Sequence, residues 1–554
     1  MVQAPSRRKL IIKVAGLPIL GWLLAGGCAV WEPPAHDPTV TSVSTAPRDA
    51  PPAPPATPPA PPVDYLDWLP NYSPQSPQQQ AWGFDYDLLP VLRTRLELGW
   101  VEEATVKREL DWYVSHPEYL ERVFRRAHLY LPYIAAELET RGMPADLALL
   151  PIVESAFDPF AYSHGRAAGL WQFIPGTGKR FGLKQNWWYD GRRDVVESTR
   201  AALDYLSLLH ALFDGDWLNA VAAYNSGEGH VSRAIHKHKA AGKPVDFWSI
   251  RNRLPKETRT YVPKLLAINE ILRNPQKYGL TLPAVPNHIA FDTVDTDGQV
   301  DMALAAELAG IETAELYALN PGVNRWATDP DGPHRLLVPA ERSAQFRQGL
   351  AELGDRERVK WTRHRIKSGE TLGQIAGRYG TTTAVLKQIN GLHGNMIRAG
   401  RHLMVPHAMK SMQSYTLSAE ARAARTRNRN RNGTKTEHVV QAGDSFWSIA
   451  QRYGVNTRQL AAWNAMAPRD TLAVGRRLVV WHNQPTIATA AIDPGTRTRK
   501  LVYTVRSGDS LARISSRFRI SVGQLLKWNK ISANKYLQPG QRLIMYVDVT
   551  RQSG

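Results

Sequence analysis

The chain has 554 residues. A single hydrophobic core does not normally extend over a chain of this length, so we expect several domains. Its 69 Lys and Arg residues against 50 Asp and Glu residues give a formal net charge of +19 at pH 7. That charge favours anionic surroundings without choosing among nucleic acid, acidic glycans and phospholipid head groups, and a single cysteine excludes an internal disulfide.

Residues 1–28 have the parts of a secretory signal. The basic run Arg7–Lys9 precedes an apolar stretch, Leu10–Leu24, that is too short to span a bilayer comfortably. Small residues then lead to Cys28, which resembles the acylated cysteine of a bacterial lipoprotein. We therefore predict a signal peptide with a lipobox-like end and a lipid anchor on Cys28; the alternative is cleavage elsewhere, which leaves or removes a free thiol.

Residues 29–80 are predicted to be a linker. Between Pro33 and Pro62 the composition turns to Pro, Ala and Thr, which cannot bury a core and favours extended polyproline-like conformations. The segment would act as a tether between anchor and enzyme.

Residues 81–280 are predicted to form an essentially all-α domain. Apolar residues recur at three- and four-residue spacing from Phe124 to Leu138, which predicts one amphipathic helix. A further helix is expected to start near Ala145, and another to be capped by Ser198-Thr199.

Glu154 is the candidate acid catalyst. It follows the apolar run Leu147–Val153 and precedes Ala156-Phe157, so its carboxyl should be largely desolvated. Desolvation raises the pKa of a carboxyl group, and an acid still protonated near neutral pH can protonate a leaving-group oxygen. The alternative is a helix-terminal or ion-paired carboxylate.

Four segments in order carry a family resemblance. Pro151–Ser155, Gly169–Thr177, Ala222–Gly227 and Tyr261–Lys264 resemble the motifs of soluble-lytic-transglycosylase-like enzymes. Arg166 departs from the pattern, because a glycine is common at its place in that family. The resemblance implies a mainly helical, goose-lysozyme-like catalytic domain.

The same resemblance implies a reaction. Glu154 would be the single acid and base, and it would cleave the β-1,4 bond between MurNAc and GlcNAc. The C6 hydroxyl of the muramic residue would then close on C1 to give a 1,6-anhydro end. Ordinary glycoside hydrolases use two carboxylates, but a hydroxyl already held beside C1 replaces the water, so one carboxyl can serve twice.

The resemblance also assigns roles around the catalytic carboxyl. Ser155 and Gln172 would orient the sugar N-acetyl group and the glutamate. Tyr224 and Asn225 would line the cleft, and Tyr261 would hydrogen-bond the carboxyl.

Two other functions remain open. A hydrolytic muramidase would need a second carboxylate, for which the candidates are Asp158, Asp190, Asp194 and Glu228. Helix capping or ion pairing is the alternative reading of these four. An inactive peptidoglycan-binding scaffold is the other possibility.

An internal repeat follows the helical domain. Ile366–Leu372, Val440–Phe446 and Val505–Leu511 are versions of one phrase, and each copy continues to an Asn and closes on an apolar strand. A compact βααβ unit is expected for each, at 363–407, 437–482 and 501–548.

These units resemble LysM domains, which bind GlcNAc-containing glycans. Residues 285–345 have the same order of elements but lack the Gly-Asp-Ser phrase, which predicts a degenerate LysM-like spacer with weakened glycan affinity. Residues 408–436 are predicted to be a basic disordered linker, and residues 483–500 a second linker.

The predicted fold class is therefore multidomain α+β, a mainly α lysozyme-like domain followed by small LysM units. The expected partners are peptidoglycan glycan strands and, through Cys28, a membrane. Nucleic acid is not expected, because no aromatic residues are interleaved with the basic run. No metal or organic cofactor is implied. We expect a monomer, lipid-anchored on the periplasmic side of the outer membrane.

Overall fold

The computed structural model describes residues 87–354, 357–482, 498–505, 509–518, 520–529, 531–532, 537–538 and 540–548. Cys28, the predicted signal segment, the linker 29–80 and most of the linker 483–500 lie outside these residues. Within the described ranges, no helix combines the length and the apolar character needed to cross a bilayer.

Residues 87–280 form a helical domain. Its α-helices are α1 (Leu88–Thr94), α2 (Ala104–Val114), α3 (Pro117–Ala127), α4 (Leu131–Thr140), α5 (Leu150–Ser155), α6 (Pro175–Arg180), α7 (Val195–Leu212), α8 (Trp217–Ser226), α9 (Glu228–Lys239), α10 (Phe247–Ile250) and α11 (Thr258–Arg273). Helix α11 is buried along most of its length, and its buried residues include the polar Thr258, Asn269 and Glu270. It is therefore the centre of the domain, and other helices pack around it.

A fully buried aspartate fixes the start of α5 against α11. Asp146 lies on the short 3-10 helix Ala145–Leu149, which runs directly into α5. Its carboxylate accepts hydrogen bonds from the backbone N–H groups of Glu97 (2.7 Å) and Leu98 (3.2 Å) and from Asn269 Nδ2 on α11 (2.7 Å). Because a buried carboxylate without donors would be strongly destabilising, these bonds specify where α5 begins.

The predicted single helix from Phe124 to Leu138 is wrong. The structure has two helices there, α3 and α4, separated by residues 128–130. Pro132 is the physical reason: it has no backbone N–H to donate to the carbonyl of His128, and its ring excludes a continuous preceding turn.

Four βααβ units follow the helical domain. The first unit has β1 (Phe291–Asp295), α12 (Met302–Ala309), α13 (Thr313–Leu319) and β2 (Arg335–Pro339), and it is followed by α14 (Ser343–Glu352); the second has β3 (Lys360–Arg365), α15 (Leu372–Arg378), α16 (Thr383–Ile389) and β4 (His402–His407). Helix α17 (Ala419–Asn428) precedes the third unit, which has β5 (Thr434–Val439), α18 (Phe446–Tyr453), α19 (Thr457–Trp463) and β6 (Arg477–His482). The fourth unit has β7 (Thr498–Thr504), α20 (Leu511–Arg517), α21 (Val522–Asn529) and β8 (Arg542–Asp548). In each unit the first and last strands pair antiparallel. The predicted α+β class is confirmed.

The first βααβ unit is packed on the helical domain. Trp188 and Tyr189 of the helical domain share a hydrophobic core with apolar residues of this unit. The backbone N–H of Asp190 donates to Gly322 O at 2.8 Å, and that of Asn324 donates to Trp188 O at 2.8 Å. A side chain at Gly322 would place its Cβ 2.8 Å from the Tyr189 ring, so this close approach requires glycine.

The prediction of a disordered linker at 408–436 does not hold for its middle part. Helix α17 lies there, and the Ser418 hydroxyl caps it by accepting from the Ala421 backbone N–H at 3.2 Å. Tyr415, just before it, is buried and donates to Asp301 Oδ2 at 2.8 Å. The alanines of the segment favour helix, and Tyr415 and Leu417 supply an apolar attachment that a solvated linker would lack.

An asparagine joins the second helix to the last strand in every unit. Asn464 Nδ2 donates to Leu460 O and Val479 O, both at 2.8 Å, and its Oδ1 accepts from the Val479 backbone N–H at 2.7 Å. Asn320, Asn390 and Asn529 make the same bonds in the other units. One side chain thereby satisfies backbone groups that the two-stranded sheet leaves unpaired.

We predict that Asn464→Ala destabilises its repeat by about 2 kcal/mol, because it leaves buried backbone groups of Leu460 and Val479 without partners. Hydrogen exchange of the full chain should accelerate in residues 456–482 and not elsewhere. Asn395→Ala, at an exposed loop position, is the matched control and should leave exchange unchanged. Unchanged protection in the Asn464 variant would contradict the structural role of this side chain.

Candidate active site

Glu154 lies in the last turn of α5, where the chain turns sharply. Ala156 (φ 52°) and Phe157 (φ 56°) are both left-handed, although neither is glycine. Consecutive left-handed residues cost about 1–2 kcal/mol each, and the full burial of the Phe157 side chain offsets that cost. This turn ends α5 directly after Glu154 and leads into the next active-site segment.

The Glu154 carboxyl is hydrogen-bonded to Tyr261. The Tyr261 hydroxyl, on the central helix α11, donates to Glu154 Oε1 at 2.5 Å. Tyr261 is buried, while Glu154 keeps partial access to solvent. The residues are 107 positions apart in the chain, so the bond depends on the packing of α5 against α11.

The environment shifts the acidity of Glu154. Burial raises its pKa from 4.5 to about 7, the Tyr261 hydrogen bond lowers it, and the charge of Glu257 raises it. Desolvation therefore outweighs the favourable donor. A carboxyl with this pKa can both give and take a proton near neutral pH, which is the requirement for an acid that later acts as a base.

The segment Gly169–Phe173 is held beside Glu154. Ser155 Oγ donates to Leu170 O at 2.9 Å. Gly169 has φ 83°, and a Cβ there would lie 2.0 Å from Arg192 O, so only glycine fits. Gln172 is itself left-handed (φ 48°), and its Nε2 donates to Gly169 O at 2.8 Å. Ser155 and Gln172 therefore support this turn through their own hydrogen bonds.

The end of α8 contributes the other two predicted side chains. The Tyr224 hydroxyl donates to Trp171 O at 2.8 Å. Burial and then the charge of Glu154 raise the pKa of Tyr224 well above its ordinary value, so the phenol and the carboxyl act on each other electrostatically. Asn225 Oδ1 accepts from Thr258 Oγ1 at 2.7 Å, which ties α8 to the start of α11.

The structure thus gathers Glu154, Tyr224 and Tyr261 into one electrostatically coupled group. Glu257 belongs to this group and was not predicted from the sequence. It lies four residues before Tyr261, one helical turn away, and that spacing is the signal that could have found it.

The candidate second carboxylates have other partners. Burial alone would raise the pKa of Asp190, but its bonds to Arg192 (2.8 Å) and the charge of Arg193 outweigh that effect and lower it. Asp194 caps α7 by accepting from the Glu197 backbone N–H at 2.9 Å. The predicted cap at Ser198-Thr199 is therefore wrong, since α7 begins before those residues.

The remaining two carboxylates are also engaged. Asp158 Oδ1 accepts from the Phe160 backbone N–H at 2.9 Å. Glu228 accepts from Arg180 Nη1 at 2.6 Å and from the Tyr205 hydroxyl at 2.8 Å, and the Arg180 bond lowers its pKa. A lowered pKa makes Glu228 a poor proton donor near neutral pH.

Family models match most of the region beyond residue 131. A transglycosylase SLT domain matches residues 132–247. The LysM-like domain of the lytic transglycosylase MltD matches residues 290–355. The LysM domain matches residues 364–406, 438–481 and 503–545.

Known proteins show similarity over different lengths. Membrane-bound lytic murein transglycosylase D of Escherichia coli K12 is 40% identical over 404 residues, covering 70% of this chain and 86% of that protein. An autolysin of Enterococcus faecalis is 32% identical over 200 residues, 35% of this chain and 26% of its own. The crystal structure of the 70 kDa soluble lytic transglycosylase of Escherichia coli aligns over 32% of this chain and 31% of its own, at 22% identity and a TM-score of 0.24.

We predict that the pKa of Glu154 makes stability fall as pH rises. Folded Glu154 keeps its proton to about pH 7, whereas an unfolded glutamate loses it near 4.5, so the folded state binds more protons in that window. Glu154→Gln removes this loss of stability, because glutamine does not titrate. Above about pH 7 it should be more stable than the parent, by up to about 3 kcal/mol, and the difference should vanish below about pH 4.5.

Pulse proteolysis in urea, read out on the helical domain, measures this difference. Glu228→Gln is the matched control with the opposite sign, because the pKa of Glu228 is lowered and its charge stabilises the folded state at neutral pH. A Glu154→Gln stability difference that does not change with pH would contradict the raised pKa.

Proposed function

The chain belongs to the family of membrane-bound lytic murein transglycosylase D, and on that premise we propose that Glu154 is its single general acid and base. Membership confirms the family resemblance read from the sequence motifs, including the helical lysozyme-like domain. The protein is a lytic transglycosylase that acts on peptidoglycan, and its LysM repeats bind the glycan.

The proposed reaction has two proton transfers at one carboxyl. The protonated Glu154 donates to the glycosidic oxygen between MurNAc and GlcNAc, the C1–O bond breaks, and GlcNAc leaves as an alcohol. The carboxylate then takes the proton of the muramic C6 hydroxyl as that oxygen bonds to C1. No water is consumed, Glu154 ends protonated, and the product carries a 1,6-anhydro end.

The observation that carries this proposal is the Glu154 carboxyl held by the Tyr261 hydroxyl at 2.5 Å, in surroundings whose burial raises its pKa to about 7. An acid with this value is partly protonated at neutral pH, and its conjugate base is strong enough to accept a proton in the second step. The Tyr261 donor stabilises the carboxylate between the two steps. The engagement of Asp158, Asp190 and Glu228 with other groups also favours a single-carboxyl mechanism.

The other site residues are proposed to position substrate. Tyr224 lines the cleft from the end of α8, where its hydroxyl donates to Trp171 O at 2.8 Å. Ser155 and Gln172 support the turn at Gly169, and from there they orient the N-acetyl group and the glutamate. Asn225 acts from the end of α8, where Thr258 orients its amide.

The LysM-like unit is proposed to be a structural spacer. The loop after its second helix is used against the helical domain, through Gly322 and Asn324. Its other side is also occupied, because Asp301 accepts from the Met409 backbone N–H at 3.0 Å and from Tyr415 at 2.8 Å. Loops already engaged in this way have little surface left for a glycan. This engagement, together with the missing Gly-Asp-Ser phrase, would weaken the affinity of the unit for glycan.

Membrane attachment is proposed to occur through Cys28. The similar Escherichia coli protein is named as membrane-bound. Acylation of Cys28, on the periplasmic side of the outer membrane, would give the enzyme an anchor beside its substrate. The Pro-rich residues 29–80 would supply the reach.

We predict that Glu154→Gln abolishes formation of 1,6-anhydro-muramic ends, since glutamine can neither donate the acidic proton nor accept the C6 proton. Purified sacculi are digested with the parent and the variant, and the glycan ends are identified by mass spectrometry. Asp158→Asn is the matched control, an acid close to Glu154 in the chain, and it should still form anhydro ends.

The product identifies the mechanism. Reducing ends from the parent would mean that water attacks, and would replace this proposal with a muramidase that uses a second carboxylate. Tight sacculus binding without cleavage by the parent would favour a scaffold.

We predict that Cys28→Ala releases the protein from the membrane fraction, because a protein without an acyl chain has no apolar anchor. Cell fractionation and metabolic labelling with a tagged fatty acid measure the change. Replacing Cys28 should remove the label completely, while Ser6→Ala, also within the predicted signal segment, should keep it. A labelled Cys28→Ala protein would disprove the assignment.

A further inference from the structure

The hairpin formed by residues 162–168 lies between the two parts of the active site and contacts the second LysM repeat, residues 437–482, which is the third βααβ unit. Tyr162 pairs with Ala168 at the base of this hairpin, which connects the turn after Glu154 to the Gly169 turn. At its tip, Arg166 Nε lies 2.9 Å from Asp470 Oδ1. The Tyr162 hydroxyl donates to the two Asp470 oxygens at 3.2 and 3.3 Å.

The contacts of Arg166 account for an arginine at a position where glycine is common in the family. Its φ of 69° is left-handed, which is the conformation that makes glycine favourable at this place. Its carbonyl accepts from Arg192 Nη1 at 2.6 Å, so the backbone of the tip is held independently of the side chain. The arginine side chain adds a contact to Asp470 that a glycine could not make.

Helix α17 fixes the chain just before this repeat. The Arg422 guanidinium lies over the Phe160 ring at 4.4 Å, and Glu420 forms an ion pair with Arg325. The Ala419 backbone N–H donates to Asn324 O at 2.8 Å. Only residues 429–433 separate α17 from β5, so the second repeat has little freedom to leave the hairpin.

The docked repeat keeps its other loops open. Ala442 and Gly443, in the loop before α18, are exposed, and the Trp447 side chain is 42% exposed. Val474, in the loop that also carries Asp470, is 70% exposed. The contacts to Asp470 therefore leave exposed surface on the repeat for a sugar chain.

We propose that the second LysM repeat is a fixed extension of the substrate cleft, which binds the same glycan strand that the active site cleaves. This rests on the proposed function. Contacts of partly exposed ions are individually weak, so Arg166, Tyr162 and Arg422 act together to hold the repeat. A binding module held in place raises the effective concentration of the strand at Glu154 more than one on a long tether would.

Hydrogen exchange of the full chain without substrate tests the docking itself. Arg166→Gly combined with Tyr162→Phe removes the two donors that the hairpin offers to Asp470, while glycine suits the left-handed tip and phenylalanine keeps the ring. Exchange should accelerate in residues 465–475 and in the hairpin, and protection of α5 and α11 should remain. Arg469→Ala, at the exposed neighbour of Asp470, is the control. Unchanged exchange in the double variant would overturn the docking.

Cleavage of long and short substrates tests the cleft extension. For the double variant we expect kcat/KM on sacculi to fall at least about threefold, through a higher apparent KM with kcat unchanged. A purified peptidoglycan tetrasaccharide, too short to reach the repeat, should be cleaved at the parent rate. Arg166→Lys alone keeps the charge and should retain the parent KM on sacculi.

Other outcomes would overturn the proposal. An equal loss on both substrates would mean that the hairpin only supports the active site, and an increase on sacculi would mean that docking inhibits the enzyme. Unchanged cleavage of both substrates would remove the repeat from the cleft. If the parent fails to cleave either substrate, the proposed function fails, whereas the exchange result still decides whether the repeat is docked.

Discussion

The hydrogen bond from Tyr261 to Glu154, made where protein excludes most of the water, is the interaction on which the site depends. Burial penalises the charged carboxylate, and a donor favours it. Burial is the larger effect, so the pKa reaches about 7. With less burial the group would lose its proton too early to act as an acid. Without the donor, burial would disfavour the carboxylate formed after proton transfer still more strongly.

A bond between residues so far apart in the chain needs two rigid supports. At the start of α5, Asp146 joins the chain to Asn269 on α11 through a buried carboxylate. At its end, the left-handed Ala156 and Phe157 turn the chain toward the Gly169 segment. The domain thus uses a buried charge and a strained turn, each costly alone, on either side of Glu154. Both are tolerated because packing and hydrogen bonds surround them.

Sequence reasoning succeeded where the signal was local. The apolar run before Glu154 indicated desolvation, and the repeated phrases indicated the βααβ units. Tyr261 was reached only through a family resemblance, because no local pattern relates residues 107 positions apart. Apolar periodicity continues across Pro132 and so predicts one helix, where the missing N–H of the proline separates two. The arginines of α17 resemble those of a solvated linker, although its alanines favour helix. The residues that attach this segment, Tyr415 and Leu417, pack on the first βααβ unit, which no local pattern reveals.

The βααβ units illustrate how one fold can serve different roles according to which loops remain free. In every unit an asparagine closes the second helix onto the last strand, so the framework is independent of the loops. The first unit uses its loops against the helical domain and the segment around Tyr415. The second LysM repeat contacts the helical domain through Asp470, and Val474 in the same loop remains exposed. Because framework and loops are separate, changes of loop residues can alter the contacts of a unit without loss of its fold.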